Sequence, residues 1–403
     1  MNVELLEYIL NPNFVETSST LLPLNNQVQD DYLLALTAPR IVQQVSQFHQ
    51  SIPGYSQTPL VKLPQLSRNL SINQIMVKDE SQRFDLNAFK MLGASYAIAE
   101  ILSQKLGLKR PYSFQSIIEQ SSNYQDLELV TTTDGNHGRA VAWCAKQFGC
   151  SARIYMPKNS SAIRLEAIKQ YTPYAEITDL DYDATVTKVA QLAKTNNWQL
   201  VQDTAWDNYL EIPDNIMRGY FTLIKEFEKQ APNEWPSHVF LQAGVGSMAA
   251  ALAAYFVAHN RPTPVIVLVE PNNAPCFFES IKINDGLPHQ VGNLNTLMAG
   301  LACGMPSKTA WQILSRYCYA FIKCDDNFTI KGMKRYARPV AKDPAIVSGE
   351  SAAVTLGVLE SILTDSQLVN IKDQLKLDEN STVLLISTEG DTDPSNYRNV
   401  VAS

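Results

Sequence analysis

The stretch Phe84-Asp85-Leu86-Asn87-Ala88-Phe89-Lys90-Met91-Leu92-Gly93-Ala94-Ser95-Tyr96 sets a lysine among apolar neighbours at the head of an amphipathic run. Burying an ammonium group without a partner is costly, so most lysines stay in water. A lysine held in an apolar site has its pKa lowered, because desolvation disfavours the charged form. Its neutral amine can then form a Schiff base with an aldehyde. The ordinary alternative is a surface lysine that reaches solvent from the first turn of a helix. The flanks alone leave both readings open.

Outward from Lys90, short apolar strands alternate with amphipathic helices. Residues 75–78, 127–133, 152–156, 175–179, 198–202, 238–241, 264–269 and 383–387 read as strands. Residues 91–106, 138–148, 161–171, 184–196 and 248–259 read as helices, and 38–50 is a helical patch nearer the N-terminus. Such alternation implies βαβ units, parallel sheets and an α/β fold. Right-handed crossovers cover both sheet faces with helices. Ligands in such folds bind beyond the carboxyl ends of the strands, so the loops just after strands carry the search for function.

At 403 residues, with 45% hydrophobic and 18% charged residues, the chain has globular composition and the length of two domains. A net charge of −7 argues against a nucleic-acid partner. The N-terminal residues MNVELLEYILNPNF are acidic where a secretory signal would be basic, and the apolar run near residues 249–258 is too short to span a bilayer. A cytoplasmic location without membrane contact is the expectation. The six cysteines form no C-x-x-C pair and the five histidines no metal-binding spacing, so no metal site is expected.

Four strand-end features stand out. Thr131-Thr132-Thr133-Asp134-Gly135-Asn136-His137-Gly138-Arg139 follows a strand and opens a helix. A helix N-terminus suits a carboxylate, although Asp-Gly turns and asparagine caps are common without any ligand. Gln242-Ala243-Gly244-Val245-Gly246-Ser247 offers an anion cradle fit for phosphate, or simply a tight turn. It lacks the lysine of a nucleotide P-loop and the third glycine of a dinucleotide fingerprint. Ser387-Thr388-Glu389-Gly390-Asp391-Thr392-Asp393 brings hydroxyls to the end of the last strand, and Asp203 closes another. Taken alone, a polar turn and a structural cap are the better accounts of these last two.

In that order along the chain, these features resemble the fold-type II pyridoxal-phosphate enzymes, the superfamily of tryptophan synthase β and the serine/threonine dehydratases. Six blocks, namely KDESQRFDLNAFKMLGASY, TTDGNHGR, QDTAW, QAGVGSMA, MAGLACG and STEGDTDP, are similar to the diaminopropionate ammonia-lyase family over about residues 60–394. Asp85, Ala94 and Ala140 stand where that pattern leads one to expect glycines.

The resemblance implies two open, twisted α/β domains with the active site in the cleft between them. Residues 1–90 plus 206–403 would form the larger, cofactor-binding domain and 91–205 the smaller. Lys90 would carry pyridoxal 5'-phosphate. Gly244, Val245, Gly246 and Ser247 would hold its phosphate through backbone N–H groups and a hydroxyl. Asn136 would meet the phenolic oxygen, and Ser387, or its neighbour Thr388, the ring nitrogen. Thr133 and the backbone of residues 135–138, Gly135 and His137 among them, would receive the substrate carboxylate. Asp134 discriminates, because in the dehydratases the residue before G-N-H is small. Asp134 and Asp203 would together hold the second ammonium of a diamino acid. Close carboxylates also push one pKa up, which would make one of them a proton carrier. The implied reaction is α,β-elimination from D- or L-2,3-diaminopropionate by Lys90, Asp134 and Asp203, in a homodimer serving amino-acid catabolism. A serine/threonine dehydratase and a catalytically silent cofactor-binding relative are the alternatives. Cys276 and Cys303 are expected as reduced thiols, and Glu350 as a neighbour of the cofactor cavity.

Overall fold

The computed structural model describes residues 5–16, 30–259 and 261–403. Among these residues the strands are β1 (Leu6–Leu10), β2 (Leu60–Lys62), β3 (Gln74–Asp79), β4 (Glu128–Thr132), β5 (Ser151–Met156), β6 (Ala175–Ile177), β7 (Gln199–Leu200), β8 (His238–Gln242), β9 (Val265–Pro271), β10 (Ala320–Cys324) and β11 (Thr382–Ser387). They form two sheets, a seven-stranded one in the order β1-β10-β9-β8-β11-β3-β2 and a four-stranded one in the order β6-β5-β4-β7. The smaller sheet is parallel throughout. The larger is parallel from β10 to β3 and has antiparallel strands β1 and β2 at its edges.

The strand composition follows from burial. β8 and β10 are buried at every residue, and their apolar residues 239–241 and 320–322 run consecutively rather than alternating. The strands and helices expected from the sequence are present, with ends moved by a few residues. β1, β2 and β10 went unread. β10 is five buried residues without alternation, which periodicity cannot distinguish from a piece of buried helix. The helical patch near the N-terminus is the helix Pro39–Gln50.

The helix Lys90–Lys105 lies between the two sheets' helical layers and is buried along almost its whole length. It packs against the helices Asn136–Phe148 and Glu211–Gly219. A Cβ at Gly219 would lie 2.3 Å from the Leu92 carbonyl oxygen, so only glycine permits this approach. Lys90 is the first residue of the helix, and the segment before it is pinned to the end of β11. Phe89 N–H donates to the Thr388 carbonyl (3.0 Å), Gly390 N–H to the Asn87 carbonyl (2.9 Å) and Glu80 N–H to the Ser387 carbonyl (2.8 Å). Phe84, Asp85 and Asn87 take positive φ angles of 51°, 57° and 56° in this segment. Asp85 thus occupies a left-handed conformation that glycine adopts without strain, the physical basis for expecting glycine there.

Candidate active site

The loops after β3, β4, β7, β8 and β11 converge, as the strand-end rule requires. One cavity is lined by Lys90, Asp134, Asn136, Asp203, the run from Gln242 to Ser247, Thr388 and Glu389. Most of the residues singled out in the sequence therefore meet at one place. Thr133, Gly135, His137 and Ser387 stand behind the wall rather than in it.

Lys90 Nζ donates to Asp203 Oδ2 at 2.5 Å. Burial by itself would push the Lys90 pKa down, as its apolar flanks suggest. Asp203 outweighs burial, with help from Tyr220 and Asp134, and the ammonium sits above its ordinary value. The apolar segment delivers Lys90 to a carboxylate rather than to a dry pocket. Burial opposes ionisation of Asp203, but His137 and Lys90 hold its pKa at about 2. Gln202 fixes this aspartate from the other side, its Nε2 lying 3.3 Å from Asp203 Oδ1. Gln202 Oε1 accepts from Thr132 N–H at 2.9 Å, which ties the ends of β4 and β7 together.

Asp134 differs from Asp203. It is half-buried, and no hydrogen bond or ion pair reaches its carboxylate from the described residues. Burial raises its pKa, Arg164 and Lys90 draw it back down, and Asp203 and Glu389 raise it again. The two carboxylates thus diverge, Asp203 held low by its cationic neighbours and Asp134 raised mainly by burial.

The remaining residues have defined places. Thr133 Oγ1 accepts from Gly135 N–H (2.9 Å) and Gly138 N–H (3.0 Å), which shapes the turn and engages the hydroxyl. His137 Nε2 donates to the Val201 carbonyl at 2.8 Å, and burial lowers its pKa. Asn136 donates its amide to Glu389. Ser387 Oγ donates to Ser348 Oγ at 2.9 Å, away from the cavity, whereas Thr388 lines it and accepts from Gln242 Nε2 at 2.9 Å. Of the two hydroxyls offered for a ring nitrogen, Thr388 is therefore the one in place. Strand alternation turns neighbouring side chains to opposite faces, a choice the sequence left open. Ser247 Oγ donates to the Asp203 carbonyl at 2.6 Å, so its proton is turned away from the glycine loop.

The glycine loop fits a phosphate. It ends at the N-terminus of the 12-residue helix Ser247–Ala258, whose first backbone N–H groups have no partner within the helix. Gly246 has φ 91°, and a Cβ there would lie 2.4 Å from Phe277 Cζ. A Cβ at Gly244 would lie 2.9 Å from the Gly300 carbonyl oxygen, so a side chain would fill the cradle. Lysine, cradle, asparagine and hydroxyl together suit a phosphorylated pyridine aldehyde.

The profile of the pyridoxal-phosphate dependent enzymes matches residues 52–389. A diaminopropionate ammonia-lyase of Salmonella typhimurium is 43% identical over 377 residues, covering 91% of this chain and 93% of the relative. That of Escherichia coli strain K12 is 44% identical over 359 residues, covering 88% and 89%. The chain belongs to the diaminopropionate ammonia-lyase family of pyridoxal-phosphate dependent enzymes. The crystal structure of the Escherichia coli diaminopropionate ammonia lyase in complex with D-serine superposes with a TM-score of 0.88 at 40% identity, covering 99% of this chain and 97% of that one. The α/β fold and the pyridoxal-phosphate cofactor are those of the family.

Sequence reasoning missed several lining residues of this ammonia-lyase family site. Glu389 and Gln242 lay inside the quoted blocks but were given no role. Gly300 and Cys303 also lay in a quoted block without a role in the site, while Tyr182, at the start of a helix, and Ser351 carried no catalytic spacing. Arg164 pairs with Glu350, and both line an adjoining cavity of about 770 Å³ that Asp134 and Tyr182 separate from the first. All six cysteines are free thiols. No described helix is long and apolar enough to cross a membrane.

Proposed function

We propose that this protein eliminates ammonia from 2,3-diaminopropionate, yielding pyruvate and two ammonia with uptake of one water. The carrying observation is Asp134, a carboxylate without a protein partner in the wall of the cavity that holds the Lys90–Asp203 pair. A hydroxy amino acid offers such a group only a neutral O–H donor, whereas a second ammonium forms a charge-assisted pair with it.

Lys90 would hold the cofactor, the loop Gly244–Ser247 its phosphate, Asn136 its phenolic oxygen and Thr388 its ring nitrogen. Bound there, pyridoxal phosphate supplies the electron sink that makes the α-proton of an amino acid removable. The protein supplies placement and proton transfer. The N–H groups at the start of the helix Asn136–Phe148 receive the substrate carboxylate. Lys90 takes the α-proton from one face and Asp134 from the other, which lets one site serve both enantiomers. Asp203, held ionised, keeps the Lys90 amine oriented and accepts from it. A carboxylate facing the β-nitrogen keeps that nitrogen protonated, so it leaves as ammonia when the carbon–nitrogen bond breaks.

The proposal extends to a homodimer working in the cytoplasm in amino-acid catabolism. It also divides the chain into residues 1–90 plus 206–403 and residues 91–205. The two sheets support that division, since each falls within one part. The test is pyruvate release by cofactor-loaded protein from D- and L-diaminopropionate, serine and threonine. Pyruvate from serine with none from either diaminopropionate enantiomer would overturn the substrate assignment.

A further inference from the structure

Asp134 has no direct partner, yet both roles given to it require an ionised carboxylate. The groups facing it come from several elements. Lys90 heads the helix Lys90–Lys105, Arg164 lies on the helix Ala162–Lys169, and Tyr182 opens the helix Tyr182–Asn196. Asp203 follows β7, Glu389 follows β11, and Cys303 lies in the loop after residue 301. Burial raises Tyr182 and Cys303 well above their ordinary values, which leaves both uncharged. The balance at Asp134 therefore lies between two cations, Lys90 and Arg164, and two carboxylates, Asp203 and Glu389. Lys90 is already committed to Asp203. Arg164, which pairs with Glu350, is the cation that draws Asp134 down most.

The geometry of Arg164 is specific. Its residue is 8% exposed, and it lines the outer cavity beside Asp134. Its side chain lies against Gly135, where an added Cβ would come within 2.9 Å of Arg164 Cδ. One terminal nitrogen pairs with Glu350, and Nε has no hydrogen-bond partner. Glu350 is anchored in turn to the other side of the cleft. Its neighbour Ser351 donates its N–H to Glu389 Oε1 at 3.0 Å, and Ser351 Oγ accepts from Gly300 N–H at 2.9 Å. Arg164 and Asn136, both from the part of the chain with the four-stranded sheet, thus each meet a glutamate from the other part, Glu350 and Glu389.

We infer that Arg164 is a positioning residue for the elimination. By pairing with Glu350 across the cleft and packing on Gly135, it holds the Asp134 turn in the cavity wall and keeps Asp134 ionised toward the substrate. This rests on the proposed function, since it supposes that Asp134 acts on a diamino acid.

The test compares the pH profile of kcat/KM for pyruvate release from diaminopropionate in cofactor-loaded wild type, Arg164→Gln, Arg164→Lys and Glu350→Gln. Removing an opposite charge beside a carboxylate raises its pKa by about one unit or more. Arg164→Gln should therefore move the acid limb up by about that amount, and Arg164→Lys, which keeps the charge, should restore it toward wild type. Glu350→Gln, which breaks the pair that anchors Arg164 across the cleft, should move the limb up too, though less than Arg164→Gln. A merely structural arginine would lower the melting temperature of the cofactor-free protein and leave the limb in place. An unmoved limb in Arg164→Gln, a limb in Arg164→Lys displaced as far as in Arg164→Gln, or a downward move in Glu350→Gln overturns the inference. If Arg164→Gln does not fold, the other two variants decide. A wild type that releases no pyruvate from diaminopropionate at any pH defeats the functional reading itself, whereas an active wild type with an unmoved variant limb defeats only this inference.

Discussion

Lys90 Nζ and Asp203 Oδ2 lie 2.5 Å apart at the joint between the two sheets, the lysine from a helix after β3 and the aspartate from the loop after β7. The pair keeps Lys90 protonated despite its burial. Attack on an aldehyde needs the neutral amine. Asp203→Asn should therefore move the pH at which half the protein takes up pyridoxal phosphate downward by about 1–3 units. Visible absorbance recorded against pH after adding the cofactor checks this, with Lys90→Ala as the blank that takes up none. Identical loading curves for wild type and Asp203→Asn would contradict it.

Asp134→Asn separates the two substrate classes. A charge-assisted pair is worth about 1.5–3 kcal/mol, so kcat/KM for diaminopropionate should fall at least about tenfold. The enantiomer that relies on Asp134 as base should lose more, about 10²- to 10⁴-fold. Steady-state pyruvate release from each enantiomer measures both, and equal small losses for the two would argue against Asp134 as a base.

The two adjacent hydroxyls give a sharper contrast. Thr388 lines the cavity, while Ser387 is bonded to Ser348 behind it. Thr388→Val should shift the absorbance of the bound cofactor and slow elimination. Ser387→Ala should leave both nearly unchanged and cost about 1 kcal/mol of stability for the lost buried hydrogen bond. The reverse pattern would return the ring nitrogen to Ser387.

Gly246→Ala meets two obstacles at once, a φ of 91° and the Phe277 ring 2.4 Å from the new Cβ. Left-handed strain alone costs about 1–3 kcal/mol, and the displaced ring adds to it. The variant should melt lower and bind pyridoxal phosphate more weakly, as equilibrium dialysis would show. Retention of the cofactor at wild-type affinity would remove this loop from the phosphate site.

His49 links stability to acid. It is fully buried, with Nδ1 2.6 Å from Thr222 Oγ1 and Nε2 2.9 Å from the carbonyl of Leu92, on the helix that carries Lys90. Burial lowers its pKa from 6.5 to about 3, so the folded protein holds it neutral while the unfolded chain protonates it first. Its contribution is complete above the unfolded value and is lost as the pH falls from 6.5 toward about 3. The slope is at most about 1.4 kcal/mol per pH unit. Denaturant melts between pH 7 and pH 4 should show His49→Gln losing stability less steeply than wild type. Parallel curves would exclude the linkage.

The α/β class and the strand-end loops were legible from residue order alone, because hydrophobic period and turn chemistry are local. The six blocks were legible as a set, since a lysine, an asparagine turn, a glycine loop and a late hydroxyl in that order point to one cofactor. The short strands were not, because β10 is a short buried run with no distinctive period, and β1 and β2 are partly exposed edge strands of only five and three residues. The charge state of Lys90 was not legible either. Its apolar flanks describe the road into the cavity, while Asp203, 113 positions away, decides what it meets there. Thr388 rather than Ser387 faces the site because the end of β11 turns one side chain in and the next out, a phase that only pairing with β3 and β8 settles. Arg164 carried no signal of its own, and Glu350 was expected beside the cofactor cavity but without a partner. They lie 186 positions apart and become a pair only in the folded chain. The sequence by itself determined which chemical groups this protein has and which strand end presents each. Tertiary packing decided their pairings and protonation, because electrostatic interaction depends on distance and burial, and both are properties of the folded chain.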